Sequence, residues 1–224
     1  MLRVVLVLWL LSVLMVVVFR FVPVPLTPLM VIRSIEQMQN ERPVVLKKTW
    51  KSLEYISPHL QLAVVCAEDQ RFLKHRGFDF EAIEKALEHN KKSKRKRGAS
   101  TISQQTAKNL FLWPRRSWLR KGLESYFTVL IELLWPKERI MEVYLNIIEL
   151  GDGVYGAEAA SQHHFGMAAS QLSKQQAALM AAVLPNPRSY SISHPSPYVR
   201  GRQSWVLGQM ALWGGRLEYK EEKE

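Results

Sequence analysis

The chain has 224 residues, of which 47% are hydrophobic, so it can form one compact domain with a short appendage but not two full domains. Its single cysteine, Cys66, excludes an internal disulfide and most simply is a core residue. The formal net charge of +11 favours an anionic partner, and nucleic acid, acidic lipid headgroups and a phosphorylated substrate all remain open on charge alone.

The first predicted element is an apolar helix at the N-terminus. Residues 4–19 carry no charge, Arg20 follows, and residues 21–32 carry none either. Sixteen helical residues span about 24 Å, and two more apolar residues bring the segment close to the roughly 30 Å of a bilayer core. No small-residue cleavage site follows, so we predict an uncleaved transmembrane anchor at residues 1–22, with a cleaved signal peptide as the alternative. Basic residues lie on both sides and leave the orientation open.

A proline-rich linker follows at residues 23–43, and within it residues 30–42 have the composition of a short helix lying on the domain. The remaining chain divides into a compact domain at residues 44–216 and a charged tail at residues 217–224.

The most informative stretch is EDQRFLKHRGFD at residues 68–79. Ser57 and Pro58 predict a helix start, and a helix continued through this stretch would place Glu68, Phe72 and His75 on one face, with Gly77 as its C-cap. Carboxylates are disfavoured near a helix C-terminus by the macrodipole. Two adjacent acids there indicate a functional site, and a solvated helix end is the alternative.

Asp79 is the predicted N-cap of the next helix, on which Phe80, Ile83 and Leu87 have the spacing of core residues. The run of basic residues at 91–97 cannot pack and predicts a mobile loop, although such a run also fits a nuclear signal or a nucleic-acid contact.

The stretch GASTISQQTAKNL begins at Gly98 and carries the next set of candidate residues. Thr101 and Gln104 have the spacing of a capping box. A helix starting there would present a hydroxyl, an amide and a cation along one face, from Thr101, Gln105 and Lys108. A binding surface and an ordinary solvated face both remain open at this point.

Residues 110–118, LFLWPRRSW, combine aromatic rings with arginines, which fits a surface that dips into lipid headgroups or a loop packed on the core. A long helix is predicted from Pro114 to Trp135, with Arg120 and Glu124 one turn apart. Its predicted buried face consists of Leu119, Leu123, Leu130, Ile131 and Leu134.

The rest of the chain also reads as helices. Pro136 predicts the start of one helix, which glycines at 151, 153 and 156 break. Ser173 and Gln176 predict the cap of a second helix, which ends at Pro185. A last helix is predicted from Pro197 towards Gly214. Only residues 44–46 read as a short extended piece, and no period-two strand follows. The fold class is therefore mainly α.

Five segments in order, residues 68–79, 98–110, 120–124, 137–151 and 156–187, resemble the peptidoglycan glycosyltransferase family, and in particular its monofunctional members. The resemblance covers about residues 60–210. Gly122 is unexpected within the third segment and would loosen a helix by about 1 kcal/mol relative to alanine.

The resemblance implies a lysozyme-like helical domain that polymerises lipid II. It implies Glu68 as the general base on the acceptor 4-hydroxyl in a single inverting displacement. Glu124 would be a second catalytic acid that either orients the departing diphosphate with Arg120 or holds a divalent cation, magnesium or manganese. Lys108 and Arg120 would supply positive charge to the diphosphate. The other predicted substrate-binding residues are Asp69, Phe72, His75, Ser100, Thr101, Gln105 and Asn109.

The partners implied are lipid II, the growing lipid-linked glycan strand, membrane lipids and other cell-wall synthesis proteins, with no nucleic acid. The implied location is the bacterial cytoplasmic membrane, with the catalytic domain on its outer side. Two rival interpretations are a lytic hydrolase of similar fold with one essential glutamate, and a membrane-tethered nucleic-acid binder that uses the basic run at 91–97.

Overall fold

The computed structural model describes residues 2–93, 98–115 and 117–219. These residues are mainly helical, as the sequence predicts. Ten α-helices are present in them: α1 Leu2–Phe21, α2 Pro28–Gln39, α3 Pro58–Glu68, α4 Phe80–Lys92, α5 Ile102–Phe111, α6 Trp118–Leu134, α7 Lys137–Ile147, α8 Ala157–Phe165, α9 Lys174–Val183 and α10 Pro197–Leu212. Of the predicted basic loop, Lys91 and Lys92 end α4 and residues 94–97 lie outside the described residues.

Three very short strands form a small sheet: β1 Lys47–Lys48, β2 Glu149–Gly151 and β3 Val154–Tyr155. β3 lies in the middle, parallel to β1 and antiparallel to β2. The sequence analysis missed the β2–β3 hairpin, although Asp152-Gly153 is a hairpin signal. Gly153 has φ +73°, and a Cβ there would lie 2.2 Å from the Val45 carbonyl oxygen, so this turn requires glycine.

The core is built around α3 and α9, which pack against each other and against α10. Every residue of α3 from Leu60 to Cys66 is buried, and four of the six buried residues of α9 are alanines. Small side chains let α9 approach its neighbours closely. α5, packed between α6 and α7, forms the second half of the domain. Cys66 belongs to this core, as predicted, and burial raises the pKa of its thiol to about 11.

The predicted N-caps of the helices are confirmed. The Ser57 hydroxyl accepts from the His59 amide at the start of α3, and Asp79 accepts from the Ala82 amide at the start of α4. Complete capping boxes open α5 at Thr101 and α9 at Ser173.

The predicted continuation of α3 to Gly77 is wrong, because the helix ends at Glu68. Asp69 has φ −159°, outside the helical region, and its carboxylate accepts hydrogen bonds from the His75 ring and from the Ile102 amide, both at 2.9 Å. These two bonds draw Asp69 out of the helix. Glu68, Phe72 and His75 therefore do not share a helical face.

Two predicted buried faces are also wrong in part. No residue of α4 is buried, and Phe80 and Leu87 are largely exposed. α6 begins at Trp118 after a Ser117 N-cap, not at Pro114, and Leu119 points to solvent while Ile131 is fully buried.

α1 is long and apolar enough to cross a membrane. Its second half packs on the domain. The Ser12 hydroxyl lies 2.8 Å from the Tyr126 hydroxyl, the Trp135 indole donates to the Val16 carbonyl at 2.9 Å, and Arg139 donates to the Phe19 carbonyl at 2.7 Å. α1 therefore packs on the domain through its second half.

Candidate active site

Glu68 lies at the last position of α3, where its carboxylate faces a cavity of about 690 Å³. It accepts a hydrogen bond from the Gln105 side-chain amide at 2.9 Å. Burial raises the pKa of Glu68, and neighbouring Asp69 adds to the rise. The Gln105 bond and the positive charges of Arg202 and Lys108 oppose this shift. A carboxylate with a raised pKa is a stronger base, which is what a general base requires.

Asp69, Thr101 and His75 hold the surroundings of Glu68 in place. The Asp69 carboxylate joins the His75 ring to the first amide of α5, and the Thr101 hydroxyl donates to the Gly77 carbonyl at 2.6 Å. Phe72 is fully buried beneath this junction, with the Lys137 ammonium 4.6 Å from its ring centroid. Since these polar groups already have partners inside the protein, their predicted contact with substrate stays a prediction.

One face of α5 lines the cleft beyond Glu68. Gln105, Lys108 and Asn109 line a second cavity of about 240 Å³. The Tyr144 hydroxyl donates to the Gln105 side-chain oxygen at 3.2 Å, which turns the amide nitrogen towards Glu68. Burial lowers the pKa of Lys108, while Glu124 and Glu68 counteract this effect by favouring the charged form. Lys108 is therefore a poorly solvated cation facing two carboxylates.

Arg120 and Glu124 form a buried pair on α6. Arg120 Nη1 donates to Glu124 Oε2 at 2.9 Å, and the Lys121 ammonium donates to Glu124 Oε1. Both carboxylate oxygens therefore already face cations. Among the residues that the structure describes, no three His, Cys, Asp or Glu side chains are grouped to hold a metal ion. The first alternative for Glu124, orientation of the diphosphate together with Arg120, agrees with this pairing, and both alternatives stay predictions.

The two cavities belong to one cleft. Gln105 and Pro185 line both of them, so the space beside Glu68 continues to the space beside Lys108. Ser100 lines the part next to Glu68. The charges of Glu68 and Glu124 both act on Lys108, so the structure brings the predicted base and Lys108 to one cleft. Arg120 and Glu124 interact electrostatically with Lys108 but are not among the residues that line either cavity.

Sequence reasoning missed Arg202. This residue lines the cavity of Glu68, its Nε donates to the Ala182 carbonyl at 3.1 Å, and its charge acts on the Glu68 carboxylate. Only its position on a predicted helix was visible in the sequence, and that position does not say which way the helix faces. Sequence reasoning also missed Tyr144, which lies on α7, the helix whose start Pro136 predicted.

A helical domain that carries an apolar N-terminal helix fit for a membrane anchor, with a buried carboxylate and a poorly solvated lysine in one cleft, fits an enzyme of group transfer. The sequence model of the transglycosylase family matches residues 34–211, and the chain belongs to this family.

Three similar proteins are each called biosynthetic peptidoglycan transglycosylase. The protein from Bdellovibrio bacteriovorus is 63% identical over 196 residues, which are 88% of this chain and 78% of the relative. The protein from Pseudomonas fluorescens is 58% identical over 204 residues, 91% of this chain and 85% of the relative. The protein from Bacteroides thetaiotaomicron is 57% identical over 201 residues, 90% of this chain and 81% of the relative.

Proposed function

We propose that the protein polymerises peptidoglycan glycan strands from lipid II. The growing lipid-linked strand is the donor, the 4-hydroxyl of the incoming lipid II is the acceptor, and undecaprenyl diphosphate is released. The observation that carries this proposal is the single cleft in which Glu68 and Lys108 face each other across Gln105. Membership of the transglycosylase family and the names of the close relatives support it.

Glu68 acts as the general base. Its carboxylate takes the proton of the acceptor 4-hydroxyl while that oxygen forms a bond to the donor's anomeric carbon, and the bond from that carbon to the diphosphate breaks. One displacement of this kind inverts the anomeric configuration. The hydrogen bond from Gln105 fixes the carboxylate and does not prevent its protonation, because only one lone pair is used.

Lys108 and Arg120 stabilise the departing diphosphate. Charge on the bridging oxygen grows as the bond breaks, so a cation held in a poorly solvated site stabilises the transition state more than the ground state. Lys108 is such a cation. Glu124 orients Arg120 through their 2.9 Å bond, and Asn109 lines the same cavity as Lys108.

The lipid-linked substrate explains the membrane anchor. A polyprenyl tail keeps the diphosphate at the headgroup plane, so the cleft must lie close to the membrane. α1 serves as a single-pass anchor, and the catalytic domain lies on the outer side of the cytoplasmic membrane, where peptidoglycan is built. Exposed apolar side chains on α6, such as Trp118 and Leu133, suit contact with lipid.

The test is incubation of the purified full chain with lipid II and, separately, with finished glycan strands. We expect polymer from lipid II and no degradation of finished strands. Glu68→Gln should abolish polymerisation, and Lys108→Ala should slow it about a hundredfold or more. The matched control is Glu84→Gln, which changes an exposed carboxylate on α4 and should keep full activity. Degradation of finished strands without polymerisation would instead identify a lytic hydrolase.

A further inference from the structure

One face of α10 presents two aromatic rings and a guanidinium to the cleft. Tyr198, Arg202 and Trp205 are separated by four and three residues, so they lie within about 60° of one another around the helix. Both rings are large and only partly buried: 44% of Tyr198 and 46% of Trp205 is exposed. Exposed aromatic rings on one face of a helix beside a cleft point to a binding surface.

This face borders the cleft on the Glu68 side. Tyr198 and Arg202 line the 690 Å³ cavity that contains Glu68. Trp205 lines an adjoining cavity of about 310 Å³, which Glu68 also lines, together with Arg71 and Lys85. Lys108 lines the cavity on the other side of Gln105. The cleft therefore has a cationic end suited to the donor's diphosphate and an aromatic end at α10.

The aromatic end is held in position before substrate arrives. The Tyr198 ring packs against the Tyr190 ring, with 5.5 Å between the centroids. Arg202 Nε donates to the Ala182 carbonyl, and Gln209 accepts from the Gln70 amide at 3.0 Å, which ties α10 to the segment after α3. A surface that is already ordered loses little conformational entropy on binding.

The chemistry of the face suits a saccharide. The axial C–H groups of a pyranose ring form an apolar surface that packs on an aromatic ring, and a guanidinium donates to hydroxyl or acetamido oxygens. A sugar packed on Tyr198 would occupy the cavity that Glu68 also lines.

We propose that Tyr198, Arg202 and Trp205 form the acceptor wall of the cleft. Tyr198 packs on the acceptor sugar whose 4-hydroxyl faces Glu68. Trp205 packs against the part of the same acceptor that extends towards Arg71 and Lys85. This inference rests on the proposed function, because it assigns the acceptor end of the same site.

The experiment separates the two substrates. The donor is a short lipid-linked glycan whose terminal 4-hydroxyl is blocked, so it cannot act as an acceptor, and the acceptor is lipid II at varied concentration. Tyr198→Ala should raise the acceptor KM about three- to tenfold, with the donor KM and kcat within twofold of the wild type. Trp205→Ala should also raise the acceptor KM. Tyr198→Phe keeps the ring and should restore the wild-type acceptor KM.

Tyr55→Ala is the matched control, because Tyr55 is an exposed tyrosine on the Leu53–Tyr55 turn and should leave all constants unchanged. An unchanged acceptor KM in Tyr198→Ala, in an enzyme that polymerises lipid II, overturns the acceptor wall alone. The acceptor wall would also be overturned if Tyr198→Ala lowered both the thermal midpoint and kcat and Tyr198→Phe did not restore kcat. Wild-type protein that does not polymerise lipid II would overturn the proposed function itself.

Discussion

At the scale of single residues, burial of the Glu68 carboxylate makes it a stronger base but lowers the stability of the folded protein. Burial makes its charged form unfavourable in the folded protein, which is why its pKa is raised. A group whose pKa is higher in the folded than in the unfolded state stabilises the fold when protonated. That contribution is lost as the pH rises through the raised pKa, so the ionised base destabilises the domain at neutral pH.

Glu68→Gln should therefore increase thermal stability at pH 7 to 8. Glutamine carries no charge to desolvate, and its gain over wild type should shrink as the pH falls below about 4, because Glu68 then becomes protonated in both the folded and the unfolded state. The measurement is the thermal unfolding midpoint of both proteins across this pH range. A variant less stable than wild type at pH 8 would mean that the surrounding cations outweigh the burial of the carboxylate.

The sequence singled out Glu68, Gln105 and Lys108 as candidates because their spacing and their family segments are local features, and the structure places them along one cleft. It predicted Asp69 and Thr101 as substrate-binding residues but could not identify their partners inside the protein, the Ile102 amide and the Gly77 carbonyl. The bond of Asp69 joins residues that are 33 apart in the sequence, and the bond of Thr101 joins residues that are 24 apart. No local sequence pattern predicts contacts at such separations. Arg202 reaches the site in the same way, through the packing of α10 on α3 and α9.

At the scale of secondary structure elements, helix starts were more predictable than helix ends and faces. An N-cap depends on a side chain and an amide two or three residues later, so serine, threonine and aspartate mark it in the sequence. The end of α3 depends instead on tertiary bonds of Asp69. The exposed face of α4 has apolar residues at core spacing but no core against it, so periodicity alone gave the wrong answer.

Gly122 offers a test of intrinsic helix propensity in α6. A Cβ placed on Gly122 would meet no atom within 4 Å, and the glycine lies inside a 17-residue helix. Gly122→Ala should therefore stabilise the protein by about 1 kcal/mol and raise the thermal midpoint by about 2–4 °C.

The contrasting variant is Gly77→Ala. Gly77 has φ +87°, and a Cβ there would lie 2.8 Å from the Thr128 methyl carbon, so this change should lower the midpoint. If alanine at position 122 lowered the midpoint as well, the backbone around Gly122 would have to be strained in a way that an ordinary helix is not.

At the scale of the whole molecule, the packing of α1 sets how deeply the domain sits in the membrane. The 20 residues of α1 span about 30 Å, the thickness of a bilayer core. Ser12 lies near the middle of α1 and contacts Tyr126 in the middle of α6. Trp135, just after α6, contacts Val16 of α1, so the two helices run in the same direction. If α1 crosses the bilayer, the second half of α6 lies beside the outer half of α1, and the first half of α6 lies no nearer the domain end of α1 than Ser12 does, about 15 Å from that end.

A spin label on Leu119→Cys should therefore report the acyl-chain region. Leu119 is 70% exposed on α6, whereas Leu212, at the end of α10, is 81% exposed on an element that packs on α3 and α9. In vesicles of bacterial lipid, collisions with dissolved oxygen should dominate the relaxation of the spin label at position 119. Collisions with a water-soluble nickel chelate should dominate the relaxation of the label in Leu212→Cys. Cys66 is buried, so the wild-type chain should take up little label. Equal access of nickel to both labels would mean that α1 and α6 do not pack together in the membrane, and the cleft would then stand clear of the headgroups that hold its substrate.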